Sequence, residues 1–209
     1  MMNNDLAIPE PCPSVQPAAE AGQRRTAARP RGFTLIELMV VLAVMTFIGL
    51  GMTTSFKSTV AGYRILNEAN SLSRDFQFAR AEALKRGGFV AVCASANGST
   101  CSGTTSWTAG WLVFYNGAGN YTGSGAYTLA STDTLLRAET QTAGKNTFVA
   151  DNSVTSVIFN RQGSVSLLPA NPVTLTLHDP TSSATLTRCV TVVPSGRTQV
   201  QNAGVGNCT

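Results

Sequence analysis

The stretch from Arg31 to Val44, RGFTLIELMVVLAV, begins an apolar run that decides the fold. Between Phe33 and Phe56 the sequence has 24 residues and one ionisable side chain, Glu37. A helix of that length rises about 36 Å, which exceeds the roughly 30 Å hydrocarbon core of a bilayer. The run therefore predicts a membrane-spanning helix that carries a carboxylate, although a carboxylate at the bilayer centre costs about 2.5–3.5 kcal/mol.

The flanks of this run favour a membrane anchor over a secretory signal peptide. A signal peptide has an apolar region of about 7–15 residues followed by small residues at a cleavage site. Here the run is longer, and Lys57 and then a helical pattern follow it. Arginines concentrate on the N-terminal side, which keeps that side in the cytoplasm and exports the remainder. These residues are Arg24, Arg25, Arg29 and Arg31.

Residues 1–32 differ in composition from the rest of the chain. They contain five prolines, many alanines and a basic end, without apolar periodicity. Such a segment cannot bury enough apolar surface to offset the entropy lost on ordering. We therefore expect a disordered cytoplasmic leader that precedes the apolar run.

The hexapeptide GFTLIE, residues 32–37, resembles the processing site of type IV prepilins and type II secretion pseudopilins. In that family a membrane aspartyl peptidase, prepilin peptidase, cuts after the glycine and methylates the new N-terminal phenylalanine. The resemblance implies cleavage between Gly32 and Phe33, N-methylation of Phe33, and loss of the leader. It also implies a bacterial inner-membrane anchor with a periplasmic C-terminal domain, which then enters a pilus or pseudopilus.

The same resemblance gives Glu37 a role in assembly. An anion near a helix N-terminus is favoured by about 0.3–1 kcal/mol through the helix dipole. In a filament, the carboxylate of Glu37 would pair with the N-terminal ammonium of Phe33 in a neighbouring subunit. That pairing explains why a carboxylate is kept in an apolar run and would set the register between subunits.

After the anchor, apolar residues recur at three- and four-residue steps, which predicts the buried face of an amphipathic helix. These positions are Val60, Tyr63, Leu66, Ala69, Leu72, Phe76, Ala79 and Ala83. Lys85 and Arg86 suit a last helical turn, and Gly87-Gly88 suits a left-handed stop. One helix is therefore predicted from about Phe33 to Arg86, with a transmembrane half at 33–56 and an amphipathic half at 57–86.

Residues 87–209 have the pattern of an antiparallel β domain, so the predicted fold class is α+β: a long helix packed on an antiparallel sheet. The charge-poor, Gly-rich region 116–133 predicts a long exposed loop. Turns are predicted at 161–163 and 194–196. The expected strands are Phe89–Ala94, Trp111–Tyr115, Thr134–Arg137, Val154–Phe159, Val165–Leu168, Val173–His178, Thr185–Val193 and Thr198–Gln201.

Three stretches of the β domain resemble the soluble domain of the GspH/FimT group of minor pilins and pseudopilins. They are WTAGWLVFYN (107–116), in which Trp111 is expected in the core, VIFNRQGSV (157–165) and CVTVVPSGR (189–197). The resemblance implies a minor pilin of a type IV pilus or, alternatively, a minor pseudopilin of type II secretion. Its partners would be prepilin peptidase, the major pilin, other minor pilins or pseudopilins, and the inner membrane.

The cysteines agree with an exported domain. Loss of the leader removes Cys12 and leaves four, and an even number in an oxidising compartment indicates disulfides. Three pairings are possible. We favour Cys93–Cys101, which closes a Gly/Ser-rich turn, and Cys189–Cys208, which holds the C-terminal tail; each would contribute about 2–4 kcal/mol.

The sequence gives no support to an enzyme, a cofactor or a metal site. It has no Gly-x-Ser-x-Gly, no His-Glu-x-x-His and no phosphate-binding loop. His178 is the only histidine and there is no Cys-x-x-Cys, which argues against zinc. We expect His178 to take part in a solvated turn before Asp179.

A third function, of a different class, is a DNA receptor for natural transformation. FimT-like members are implicated in that activity through a basic Gly-Arg-x-Arg hairpin. In this sequence Arg197 matches the first arginine, whereas Gln199 stands in place of the second.

The charge of the mature chain is mild. After residue 32 the chain keeps 11 Lys/Arg and 8 Asp/Glu, a net charge of +3. Arg188 and Arg197 are expected to cluster at the hairpin, with Arg161 on another turn. Any binding to double-stranded DNA through them would be weak and non-specific, because phosphate contacts carry no sequence information.

Overall fold

The computed structural model describes residues 32–51, 53–140, 146–166, 172–206 and 208. The predicted leader thus lies outside the described residues, except for Gly32. The described residues divide into two compact units, with the boundary between Phe47 and Ile48.

Two helical segments precede the strands: α1 (Leu35–Gly51) and α2 (Thr53–Arg86). Residue 52, which separates them, lies outside the described residues. In the part of the chain that the structure describes, no helix is both long enough and apolar enough to cross a membrane. The division into a transmembrane half at 33–56 and an amphipathic half at 57–86 stays a prediction.

The buried face of α2 follows the helical period. Six fully buried residues recur at steps of four and three: Ile65, Ala69, Leu72, Phe76, Ala79 and Ala83. The predicted stripe is therefore correct from Ala69 onward. It is wrong before that point, because Val60 is 48% and Tyr63 65% exposed, and Ile65 replaces Leu66 as the fully buried residue.

The β domain confirms the α+β class but contains more than one sheet. In the described residues, one four-stranded antiparallel sheet has the order β5-β3-β1-β7 and another has the order β10-β9-β8-β6, while β2 and β4 pair alone. The strands are β1 (Phe89–Ala94), β2 (Thr100–Cys101), β3 (Gly110–Asn116), β4 (Tyr127–Thr128), β5 (Thr134–Thr140), β6 (Thr147–Ala150), β7 (Ser156–Phe159), β8 (Val173–His178), β9 (Arg188–Val192) and β10 (Thr198–Asn202).

Several predicted strands have other bounds in the structure. The strand predicted at Thr134–Arg137 continues to Thr140, the one predicted from Val154 begins at Ser156, and β2, β4 and β6 have no counterpart among the predicted strands. Two differences are larger. Around Val165 there is only an isolated bridge to Phe159, and the rest of that predicted strand falls largely on residues 167–171, outside the described part. The strand predicted from Thr185 begins at Arg188, because the backbone N–H groups of Leu186 and Thr187 both bond to the carbonyl of Ser183 in a tight turn.

Strands β1, β3 and β7 of the first sheet are buried on both faces, whereas its edge strand β5 is largely exposed. Along β1, Val90, Val92 and Ala94 face the main core with α2, whereas Ala91 and Cys93 face a second apolar cluster. This alternation is the two-residue period of a strand. Both Trp107 and Trp111 are fully buried in the main core, as expected for Trp111.

The second apolar cluster corrects the prediction that region 116–133 is simply an exposed loop. Tyr121 is only 6% exposed, and its ring lies 5.4 Å from that of Phe114 and 4.6 Å from that of Tyr127. The hydroxyl of Tyr127 donates to Asp133 at 2.7 Å, a bond that raises the pKa of Tyr127 to about 12. Aromatic residues in a Gly-rich segment are the signal that sequence reasoning missed.

Polar contacts hold α2 on the sheets. The carboxylate of Asp75, 6% exposed, accepts from the indole of Trp111 at 2.7 Å and from Arg137 at 2.8 Å. Closer to the start of the helix, the buried amide of Asn146 donates to Glu68 at 3.0 Å and accepts from Arg64 at 3.0 Å. The second half of α2 is thus fixed to the first sheet through a buried carboxylate.

Candidate functional site

The predicted processing segment lies at the start of α1. Gly32 and Phe33 precede the helix, and the side chain of Phe33 is 83% exposed. Glu37 lies in the first helical turn, where the helix dipole favours an anion. The positions match what the resemblance implies, while cleavage, methylation and the pairing of Glu37 stay predictions.

Thr34 caps α1, a role that sequence reasoning missed. Its side-chain oxygen accepts from the backbone N–H of Glu37 at 3.3 Å, and its carbonyl accepts from the N–H of Leu38 at 3.2 Å. A Ser or Thr followed three residues later by Glu is the signature of a capping box, so Thr34-Leu-Ile-Glu37 could have been recognised. Glu37 therefore also marks where the helix begins.

The structure contains two disulfides among its described residues, Cys93–Cys101 and Cys189–Cys208, the pairs favoured from the sequence. The first lies in the second apolar cluster, where it joins β1 to β2. The second joins β9 to the C-terminal tail across 19 residues. Each closes a local loop, and the tail is held beside the β9–β10 hairpin.

Arg188 and Arg197 lie at opposite ends of that hairpin. Arg188 pairs in register with Asn202, four residues before Val192, which pairs with Thr198 next to the turn. Four strand residues span about 14 Å at roughly 3.4 Å each. Arg188 also donates to the carbonyls of Thr185 and Thr187, at 3.1 and 2.8 Å. The expectation that the two arginines cluster is wrong, and a DNA contact by either one stays a prediction.

Gln199 holds the side chain of Arg197. In the amide orientation that satisfies both groups, the Gln199 oxygen accepts from Nε at 3.0 Å and from Nη2 at 2.8 Å. Residues two apart on a strand share a face, which is why these side chains meet. Gln199 therefore orients the guanidinium of Arg197, whereas a second arginine at this position would repel it.

Two glycine turns, one after Arg161 and one before Arg197, lie against one helix residue, Arg80. The turns touch, because a Cβ on Gly196 would lie 2.0 Å from the carbonyl oxygen of Gly163. Added Cβ atoms at Gly163 and Gly196 would lie 3.1 and 3.2 Å from the Nε atom of Arg80. Both turns are predicted from the sequence, but the contact between them is a tertiary one that no local pattern predicts.

The arginines near these turns have no carboxylate partner in the described residues. The ion pairs in the described residues are Lys85–Glu82, Arg86–Glu82 and Arg137–Asp75. The hydrogen bond from Arg86 is the main cause of a lowered pKa of Glu82. Positive charge is consequently concentrated at the two glycine turns and at the end of α2 that faces them.

His178 lies between a strand and a turn, as expected, but it is only partly exposed. Its Nδ1 atom lies 3.1 Å from the hydroxyl of Thr187, which is buried. Burial raises the pKa of the adjacent Asp179, but hydrogen bonds from Thr181 and Ser183 outweigh it, so the pKa is lowered. Within the described ranges, no group of three His, Cys, Asp or Glu side chains could hold a metal ion.

Comparison with known families gives two matches. The family model described as type II transport protein GspH matches residues 68–196, more than half of the chain. The model of the prokaryotic N-terminal methylation motif matches residues 28–53, which include the predicted cleavage site. No curated protein matches the chain.

Among solved structures, the chain is similar to the type IV minor pilin FimU of Pseudomonas aeruginosa (strain PAO1). The identity is 18%, over 68% of this chain and 90% of that one, with a TM-score of 0.49. It is also similar to the minor pseudopilin EpsH from the type 2 secretion system of Vibrio cholerae, with 13% identity, 66% and 95% coverage, and a TM-score of 0.40.

Proposed function

Because the chain belongs to the GspH family of minor pilins and pseudopilins, we propose that it is a minor pilin of the FimT/FimU type that aids assembly of a type IV pilus. Prepilin peptidase removes residues 1–32 and methylates Phe33. The apolar segment 33–56 then anchors the chain in the inner membrane, and residues 57–86 carry the periplasmic β domain at 87–209. Its role is structural, through contacts with the major pilin and other minor pilins.

One observation carries this proposal: the methylation motif and the GspH match follow one another along the chain, at residues 28–53 and 68–196. The order is that of a processed anchor followed by a subunit domain. The position of Glu37 in the first turn of α1 supports the pairing with a neighbouring N-terminus, since both groups lie at the same end of the helix.

Processing is tested by co-expressing the chain with a prepilin peptidase and measuring the intact mass. We expect a product that lacks 32 residues and carries one methyl group on Phe33. Replacement of Gly32 by a bulky residue should leave the chain uncut, whereas the matched change Thr34→Ser should leave processing intact. A full-length wild-type product, or a cut after the apolar run, would contradict the prepilin proposal.

A second candidate is a minor pseudopilin of a type II secretion system. The observation in its favour is the description of the matching family, type II transport protein. The two candidates share processing and anchoring, and differ in the filament that takes up the subunit. A deletion strain separates them: loss of surface pili with normal secretion supports a pilin, and loss of secretion with normal pili supports a pseudopilin.

A third candidate is a pilus subunit that binds double-stranded DNA. Arg197 is exposed on the turn between β9 and β10, and Arg161 lies on the touching turn, which favours weak contacts with phosphates. Arg188 lies at the opposite end of the hairpin from Arg197 and does not cluster with it. In a gel-shift titration, Arg197→Ala should weaken all duplexes equally and lower the salt slope by about one unit. The absence of any shift at low salt would remove this candidate.

A further inference from the structure

The second half of α2 and the β9–β10 turn enclose a groove of about 380 Å³. We call it the α2–hairpin groove. It is lined mainly by Gln77, Arg80, Ala81, Leu84, Arg197 and Thr198. All of these residues belong to the compact unit of residues 48–209.

The charge of the α2–hairpin groove is positive on both walls. Arg80 reaches it from the helix and Arg197 from the turn, and no carboxylate lines it. The Nε atom of Arg80 is buried and has no hydrogen-bond partner among the described residues. Among the described residues, the guanidinium of Arg197 bonds to the neutral amide of Gln199. Arg80 is only partly buried, and neither arginine has an ion pair among the described residues, so the two charges suit an incoming oxyanion.

The walls are also fixed in place. Gly163 and Gly196 have φ values of +74° and +79°, and their turns touch. The backbone N–H of Val165 donates to the carbonyl of Pro194 at 2.9 Å, which joins the two turns. The side chain of Arg80 lies against both glycines. A ligand therefore meets donors that are already positioned, which reduces the entropy lost on binding.

The remaining lining residues indicate which oxyanion fits. Leu84 is 51% exposed, and Ala81 lies one turn before it on the same wall. These apolar side chains suit methylene groups, whereas the guanidinium groups suit a carboxylate. The side chain of a glutamate has both parts. A phosphodiester carries its oxyanions between two sugars and not at the end of a methylene chain, so it matches the apolar part of the groove less well.

We infer that the α2–hairpin groove binds glutamate side chains of an acidic segment in another protein subunit. The inference adds a partner surface to the proposed function and rests on it for the identity of that partner as a filament subunit. Arg80 and Arg197 bind the carboxylate, Gln199 orients Arg197, and Leu84 contacts the stem.

The test uses the full chain in an uncharged maltoside detergent. The probe is a hexaglutamate peptide, blocked at both ends and carrying an uncharged dye, whose binding is followed by fluorescence anisotropy. Hexaglutamine is the matched peptide. We expect hexaglutamate to bind and hexaglutamine to fail, with affinity at least about tenfold lower in Arg80→Gln and in Arg197→Gln, because each removes a charge-assisted hydrogen bond.

The control variant is Arg74→Gln, on the same helix but outside the groove, where Arg74 is exposed. It removes the same charge and should change the affinity by less than about twofold. If Arg80→Gln proves unstable by urea unfolding, the exposed Arg197 still decides. An equal loss in Arg74→Gln would show diffuse attraction and overturn the inference.

Two further outcomes are decisive. If hexaglutamate does not bind the wild-type chain, the inferred binding of glutamate by the groove is wrong. Processing, and so the proposed function, would be unaffected by that result. A 15-base-pair duplex is the second probe. If the duplex binds through Arg80 and Arg197 and hexaglutamate does not, the surface is one for nucleic acid and the inference is wrong. If Arg80→Gln loses the peptide but still binds any duplex that the wild type binds, the inference is supported.

Discussion

Replacement of Asp75 by alanine removes the acceptor that joins α2 to β3 and β5. The carboxylate is 6% exposed and accepts from the indole N–H of Trp111 at 2.7 Å and from Arg137 at 2.8 Å. Trp111 is fully buried, so its N–H would lose its partner without gaining water. The variant therefore tests whether a buried carboxylate fixes the helix to the sheet.

The magnitude follows from the two partners. A buried donor left without an acceptor costs about 1–3 kcal/mol. The side chain of Arg137 is 48% exposed, so its ion pair is screened by solvent and contributes at most about 1 kcal/mol. We expect Asp75→Ala to lower the free energy of unfolding by about 1–4 kcal/mol. Asp75→Asn keeps an acceptor for the indole and should cost only about 1 kcal/mol.

The assay is urea unfolding of the detergent-solubilised chain, followed by the fluorescence of the two tryptophans, both of which are buried. Glu139→Ala, an exposed acidic residue on β5, is the matched control and should change the free energy by less than about 0.5 kcal/mol. The reasoning is refuted if Asp75→Ala unfolds like the wild type. It is also refuted if Asp75→Asn is as damaging as Asp75→Ala, since the indole would then not be the main partner.

Four further predictions concern filament assembly, one disulfide, and two groups whose ionisation affects stability. Glu37→Ala should insert into membranes normally but enter filaments less often, because a neighbouring ammonium loses its partner; normal incorporation, measured in sheared filaments, would exclude that role. Replacing both Cys189 and Cys208 by alanine should lower the free energy of urea unfolding by about 2–4 kcal/mol, and an unchanged midpoint would show that the tail adds nothing. Because its pKa is lowered, Asp179 stabilises the fold above its usual pKa of 3.8 and loses this as pH falls, so the melting temperatures of wild type and Asp179→Asn should differ at pH 7 and converge at low pH. The raised pKa of Tyr127 stabilises the fold below pH 10.0, an effect lost as pH rises towards about 12, and Tyr127→Phe should remove a tyrosinate step near pH 12 from an ultraviolet titration.

The apolar period of α2 could be predicted from the sequence, but the extent of its burial could not. Steps of three and four residues show which side of a helix is apolar, and the prediction is correct between Ala69 and Ala83. The same steps continue back to Tyr63 and Val60, where the side chains are largely exposed. Whether an apolar stripe is covered depends on how far the sheets reach along the helix, and that is a tertiary property.

The loop prediction failed for a related reason. The low charge and high Gly content of region 116–133 are typical of an exposed connection, yet Tyr121 and Tyr127 pack on Phe114. Strand β1 already indicated the need for such a cover, because all but the first of its six residues are buried. A strand that is apolar on both faces requires a second layer, and the only sequence signal for that layer is the pair of tyrosines.

The α2–hairpin groove is the feature that the sequence predicts least well. It is also the feature that depends most on Gln199, which stands in place of the second arginine of the Gly-Arg-x-Arg hairpin. Arg80 and Arg197 are far apart in the chain, and both line the groove because the turn at Gly196 lies against Arg80. The contact between Arg197 and Gln199, in contrast, follows from the two-residue period of a strand. A glutamine at this position removes a positive charge and supplies an acceptor that bonds to Arg197 twice, at 3.0 and 2.8 Å. That exchange lowers the charge density of the hairpin and fixes the direction of one guanidinium. Diffuse attraction to phosphates depends on charge density, whereas a hydrogen-bonded contact with one carboxylate depends on the direction of the guanidinium. For this reason we assign the groove, and not the face of the hairpin, to an acidic segment of another subunit.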